Sequence, residues 1–247
     1  MRLFNKGEEA GGVSQGRRHP LLAGYYWILL FLGWITIAIL PLGAQDSYSA
    51  ALSLFWDGRR LEMAETRKAE SQLAFQRSLA MTERLLSKEP SNPDLQTLKT
   101  WNLFRLHRYV DTVVYAQSVL NTREDHRVLE TMAEALFFLN KNEEALSAFS
   151  RYFAIAPESD DRRSSAYYYV GEIYFKIKKY EHADIAFSTA VALEKNMYYW
   201  WYRLGLVKEV LGQYRRAYEA FNASLALKSN FKPALEARER VKAKSSL

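Results

Sequence analysis

The feature that most constrains this chain is a repeat of one four-residue spacing. Ala145 and Phe149, Ala183 and Phe187, and Ala217 and Phe221 each form an Ala-x-x-x-Phe pair, and the pairs recur at intervals of 38 and 34 residues. Upstream of the last two stand Val170-Gly171 and Leu204-Gly205, again 34 residues apart, and Tyr180 and Tyr214 keep the same interval. A period of that length fits a unit of two helices and a turn. Such a hairpin cannot bury its apolar faces alone, so neighbours stack into one continuous core. Glycine and alanine are expected where two helices approach closely, and the phenylalanine one turn further on is expected to fill the gap towards the neighbouring hairpin. Glycine (11) and proline (6) are scarce in 247 residues, which favours helix throughout. Asn140 and Gly212 fall in the turns between paired helices, where a left-handed residue is cheap.

This pattern resembles the tetratricopeptide repeat, whose signature is W-x-x-L-G-x-x-Y, then A-x-x-x-F, then proline. Residues 198–231 supply Trp201, Leu204, Gly205, Ala217 and Phe221, with Lys208 in place of the tyrosine and Ser229 in place of the proline. Residues 164–197 supply Tyr167, Val170, Gly171, Tyr174, Ala183 and Phe187, with Lys195 at the proline position. Residues 126–159 are looser, with Leu129, Met132, Ala133, Leu136, Ala145, Phe149 and Pro157, and residues 160–163 are then an insertion in the connecting loop. The resemblance implies an all-α fold, an α-solenoid of antiparallel helix hairpins. Residues 46–125 are expected to hold degenerate hairpins of the same kind. One spans about 93–122, starting at Ser91-Asn92-Pro93 and turning near 107–109, and another spans about 46–88. Residues 232–247 are expected to be an amphipathic capping helix with Leu235 and Val241 on its buried side.

Ahead of the array, residues 21–42 run without a charge. At about 1.5 Å per residue they reach roughly 33 Å, enough for a bilayer core. Tyr25, Tyr26 and Trp27 lie near the start of the run, where aromatics favour the headgroup region, and four Lys or Arg residues precede it. A single transmembrane helix is therefore expected, with residues 1–20 as a cytoplasmic tail and the helical domain extracytoplasmic. The length favours a retained signal anchor. A cleaved signal peptide, processed near Ala44, is the alternative. Arg17-Arg18 fits a twin-arginine export signal badly, because His19 and Pro20 follow.

Little in the chain points to chemistry. Cysteine is absent, which removes disulfides, thiolate metal sites and cysteine nucleophiles. The four histidines lack metal-site spacing, and there is no Gly-rich phosphate loop or G-x-S-x-G elbow. The net charge of +6 is spread over a mixed surface, unlike the clustered footprint of a nucleic-acid binder. Asn222-Ala223-Ser224 matches a glycosylation sequon on an expected helix, where chance is the simpler account. The expectation is a protein without cofactor, metal or enzymatic activity.

In the family resembled, first helices line a concave surface that receives peptides. Carried over by position, Arg127, Glu130, Glu134, Phe137, Tyr168, Glu172, Phe175, Lys176, Tyr202, Arg203 and Glu209 are expected to line such a groove and to bind protein partners. The aromatic runs 167–169 and 198–202 open two of these helices, too many rings for one core-facing stripe. Glu130 and Glu134 stand where chaperone-binding relatives carry Lys and Asn, and are expected to repel a peptide's terminal carboxylate. The function expected is a membrane-anchored scaffold in a cell-envelope assembly, such as a division, secretion or motor complex. Alternatives are a soluble exported form and an accessory subunit binding peptide or glycan.

Overall fold

The computed structural model describes residues 46–245. The expected tail, the apolar run 21–42 and the cleavage point near Ala44 lie outside the described residues. Within them the fold is all-helical: eleven α-helices, one 3-10 turn and no strand. No described helix is long and apolar enough to cross a membrane.

The helices pair in chain order. α1 (Tyr48–Glu62) and α2 (Lys68–Leu86) are joined through the 3-10 turn Glu65–Arg67, and α3 (Pro93–Arg105) pairs with α4 (Tyr109–Leu120). α5 (His126–Phe138) pairs with α6 (Asn142–Ile155), α7 (Arg163–Lys176) with α8 (Tyr180–Leu193), and α9 (Tyr198–Val210) with α10 (Tyr214–Leu227). α11 (Lys232–Ser245) closes the stack, seating Ala237 and Val241 against Ala217 and Phe221 of α10. Several starts have clear local causes. Asn92 Oδ1 accepts from the amides of Asp94 and Leu95, with Pro93 at the first helical position, and Asp125 Oδ1 accepts from those of Arg127 and Val128. Each side chain satisfies amides that the first turn leaves without a helical acceptor.

Four of the five hairpins turn in the same way. His107, Asn140, Lys178 and Gly212 have φ of 57°, 61°, 62° and 71°, at intervals of 33, 38 and 34 residues. After each, an amide reaches back across the helix end: Arg108 to Leu103, Lys141 to Leu136, Lys179 to Tyr174 and Gln213 to Lys208, at 2.8–3.0 Å. This six-to-one bond satisfies a terminal carbonyl and reverses the chain.

In three of the hairpins a glycine of the first helix faces a phenylalanine ring of the second. A Cβ built on Gly171 would stand 2.7 Å from the Phe187 ring, and one on Gly58 would stand 2.6 Å from the Phe75 ring. Phe75, Phe149, Phe187 and Phe221 are fully buried. Phe187 and Phe221 each cover the glycine of their own hairpin and also reach the next unit, Phe187 meeting Arg203 and Phe221 packing with Ala237 and Val241.

First helices pack on one another from unit to unit, α1 on α3, α3 on α5, α5 on α7 and α9 on α11. Among the described residues, second helices make no comparable contact with each other. First helices thus line the inner face of the stack and second helices the outer one. That arrangement presents the first-helix positions together.

Candidate functional site

Along the inner face, acidic residues of one unit meet arginines of the next. Asp94 accepts from Arg127 Nη1 at 2.9 Å, and Glu130 accepts from Arg162 Nε at 2.8 Å. Glu172 receives both Nε and Nη2 of Arg203, at 2.6 and 2.7 Å, and Glu209 receives both Nε and Nη2 of Arg240, at 2.7 and 2.6 Å. The sequence separations are 33, 32, 31 and 31 residues, just under one repeat. In the Glu172–Arg203 and Glu209–Arg240 pairs, two parallel N–H···O bonds add geometric specificity to the charge. The ladder fixes neighbouring first helices in register.

Of the expected groove residues, Phe137, Glu172, Phe175, Lys176 and Arg203 line one hollow of about 400 Å³, together with Phe138 and Asn140. Arg203 lies over the Phe175 ring, 4.5 Å from its centre, and Lys176 Nζ donates to Asn140 Oδ1 across the unit boundary. Phe138 is 43% exposed, so this hollow offers rings and charges side by side.

Arg127, Glu130 and Glu134 line a second hollow of about 210 Å³ nearer the N-terminal end, with Trp56, Arg59, Trp101 and Arg162 among its other walls. Here the expectation for Glu130 and Glu134 is corrected. Both are buried and Arg162 bridges them, its Nη2 lying 2.5 Å from Glu130 Oε1 and 2.6 Å from Glu134 Oε1. They do not stand as two open acids. Burial, and then the like charge of Glu130, push the Glu134 carboxyl well above the usual carboxylate range, against the pull of Arg162. Arg162 sits in the connection inserted before α7, where Asp160 anchors it. Asp160 Oδ1 accepts from the Arg162 amide at 2.8 Å and from the Tyr152 hydroxyl at 3.1 Å, and Asp160 Oδ2 lies 3.1 Å from His126 Nε2.

Tyr168, Tyr202 and Glu209 line neither hollow. Tyr168 stacks on Trp200 at 5.2 Å between ring centres and 12° between planes, so it joins two units. Its neighbours go elsewhere: Tyr167 stacks on Phe153 at 4.3 Å, and Tyr169 packs on Phe137 at 5.1 Å. One helix of consecutive tyrosines thereby touches the unit before and the unit after. Tyr202 packs on Phe221 and Phe231, at 6.0 and 5.3 Å. Burial raises the phenol pKa values of Tyr168, Tyr169 and Tyr202. Among the described residues, no three His, Asp or Glu side chains are placed to hold a metal ion. Ser224 of the sequon is fully buried.

Trp56, Arg59, Trp101 and Arg162 were missed by reasoning from the repeat signature. Counting back 33 residues, the interval between the turns at His107 and Asn140, takes Glu134 to Trp101 and Phe137 to Phe104, so a signal existed for two groove positions of α3.

Residues 164–197, which span α7 and α8, match the family model of the tetratricopeptide repeat. The chain carries one tetratricopeptide repeat there. Its fold is similar to that of solved tetratricopeptide structures. A crystal structure of MamA is 18% identical with a TM-score of 0.54, covering 72% of this chain and 96% of its own. The MamA RS-1 ArsTM double mutant is 19% identical with a TM-score of 0.57, covering 72% and 94%. YrrB, described as a tetratricopeptide protein with an unusual peptide-binding site, is 14% identical with a TM-score of 0.55, covering 83% and 97%. Likeness at such identities is a likeness of fold. No curated protein matches the sequence.

Proposed function

We propose that this protein is a non-catalytic scaffold that holds a segment of a partner protein along the inner face of its first helices. The observation that carries the reading is the hollow of about 400 Å³ along α5, α7 and α9, where Phe138, Phe175, Lys176 and Arg203 meet. Exposed aromatic area next to cationic donors is the composition of a binding hot spot. The ladder of ion pairs around it supplies a rigid frame, so little ordering entropy is lost when a segment docks. The peptide-binding site ascribed to YrrB lies on a similar fold and lends support by analogy. With residues 21–42 as a signal anchor, the scaffold stands outside the cytoplasmic membrane within a cell-envelope assembly.

Photo-crosslinking in cells tests the reading. A crosslinking residue at position 138 or 176 should capture a discrete protein, whereas one at Arg215 on α10 should not; Arg215 has an 81% exposed side chain. Equal capture from both faces, or none from the inner one, would overturn it.

A further inference from the structure

The walls of the smaller hollow carry four arginines and four acids, but the acids are not shared evenly among the arginines. Glu62 Oε2 accepts from Arg59 Nη1 at 3.0 Å and lies 3.6 Å from Arg105 Nη1. One carboxylate oxygen thus serves two guanidinium groups, each with five N–H donors. The other charges facing the hollow are already engaged. Arg127 is held by Asp94 and Asp125, Glu130 and Glu134 by Arg162, and Asp160 by His126 and Tyr152; Asp161 stands exposed at the rim. Unspent donors therefore gather at the α1–α3 side. The Arg59 guanidinium is disfavoured by burial and by the nearby positive charges of Arg105 and Arg162.

Beside these donors lies unclaimed apolar surface. Trp56 is 54% exposed, edge-on to Phe55 with ring centres 5.3 Å apart, and Trp101 stacks on the other part of Phe55 at 5.5 Å. A guanidinium pair next to two indoles can receive a carboxylate and the apolar group beside it in one step. Glu62, already shared by the two guanidinium groups, and Asp161 at the rim disfavour a second negative charge, which selects a carboxylate over a phosphate dianion.

We propose that this hollow takes an internal Asp or Glu side chain of the partner's segment, with an adjacent large apolar side chain laid on Trp56 and Trp101. The proposal rests on the reading that the inner face holds a protein segment, and it names the chemistry one end of that face selects.

The test uses the full chain in detergent and a displayed library of random peptides flanked at both ends, so that no free terminus is offered. Selected peptides should carry an acidic residue beside an apolar one. The best should bind about tenfold or more weakly to the Arg59→Gln/Arg105→Gln variant, and changing the peptide's acid to its amide should cost about as much on wild type and little on that variant. Helical circular dichroism equal to wild type guards against misfolding, and Trp56→Ala should weaken binding independently. Peptides without an acid, or bound equally by wild type and the double arginine variant but lost on changing Phe175 and Lys176, would overturn this proposal and leave the scaffold reading standing. A library that yields no binder to the inner face would overturn both.

Discussion

The ring of Phe187 occupies the space into which a side chain at Gly171 would grow, its Cδ1 only 2.7 Å from the Cβ position. Phe187 is fully buried, so the ring cannot swing clear without opening the hairpin. Gly171→Ala gains about 1 kcal/mol of helix propensity and forces an overpacking that costs about 1–3 kcal/mol. The expected net effect is a loss of up to about 2 kcal/mol, read as a lower urea midpoint at unchanged slope. Gly212→Ala meets no atom within 4 Å but holds φ at 71°, so it should lose about 1 kcal/mol through backbone strain alone.

The same relationship explains how much of the fold is legible in the sequence. Gly171, Ala183 and Phe187 are separated by 12 and 4 residues, and so are Gly205, Ala217 and Phe221. In the first hairpin the trio is Gly58, Ser71 and Phe75, one residue wider. Serine hides the pattern, yet Ser71 is 2% exposed and its hydroxyl donates to the Gly58 carbonyl at 3.0 Å, so a polar atom is accommodated at the alanine position. In the second hairpin the trio is Thr100, Thr112 and Ala116, all fully buried. There threonine stands in place of glycine and alanine in place of phenylalanine, which erases the signature. His107 and Lys178 take the left-handed turn without glycine or asparagine, so composition at the turn did not mark them. The groove is less legible, because carrying positions over cannot say which charges are spent on neighbouring units. Arg203 and Glu172 are spent on each other, and Glu209 on Arg240.

Arg162 is drawn to both buried acids of α5. Arg162→Ala would leave Glu130 and Glu134, with side chains 6% and 3% exposed, facing each other without a cation, and should cost about 3–5 kcal/mol. Thermal unfolding at neutral pH would register the loss, and adding Glu134→Gln should recover part of it.

The pH dependence of Glu134 has a definite sign. Its folded carboxyl holds a proton more tightly than the ordinary unfolded one. Stability from this group is therefore fully present below the ordinary carboxylate range and is lost as pH rises through the folded value. Glu134→Gln keeps the shape and removes the titration. Unfolding free energies across the acid-to-neutral range should fall less steeply for the variant than for wild type, and identical slopes would refute the assignment.

Asp125 titrates in the opposite sense. Burial alone would raise its carboxyl, but hydrogen bonds from Arg127 and Arg123 outweigh burial and hold it at about 2. A depressed folded value gives stability that is present above the unfolded value of about 3.8 and is lost as pH falls towards 2. Asp125→Asn can retain the cap on the Arg127 amide while losing both ion pairs. With a discount for solvent around the two arginines, it should cost about 1–2 kcal/mol at neutral pH. The gap to wild type should close as pH approaches 2, which acid titration of the helical signal would follow.

The apolar run 21–42 makes a prediction separable from the groove. A retained anchor keeps residues 21–42 on the mature protein and leaves it in the membrane pellet after a high-salt wash, released only by detergent. Intact-mass measurement reads the first and fractionation the second. On the proposed reading, four Lys or Arg residues before the run and none between 43 and 57 would orient the chain with the helical domain outside. Protease added to osmotically opened cells should then digest the helical domain and spare an epitope tag placed before residue 20. A mass beginning near residue 45 would replace the anchor with a cleaved signal, while the domain's exposure to the added protease would stay the same. Protection of the domain itself would reverse the topology and remove the cell-envelope reading, whatever the inner face binds.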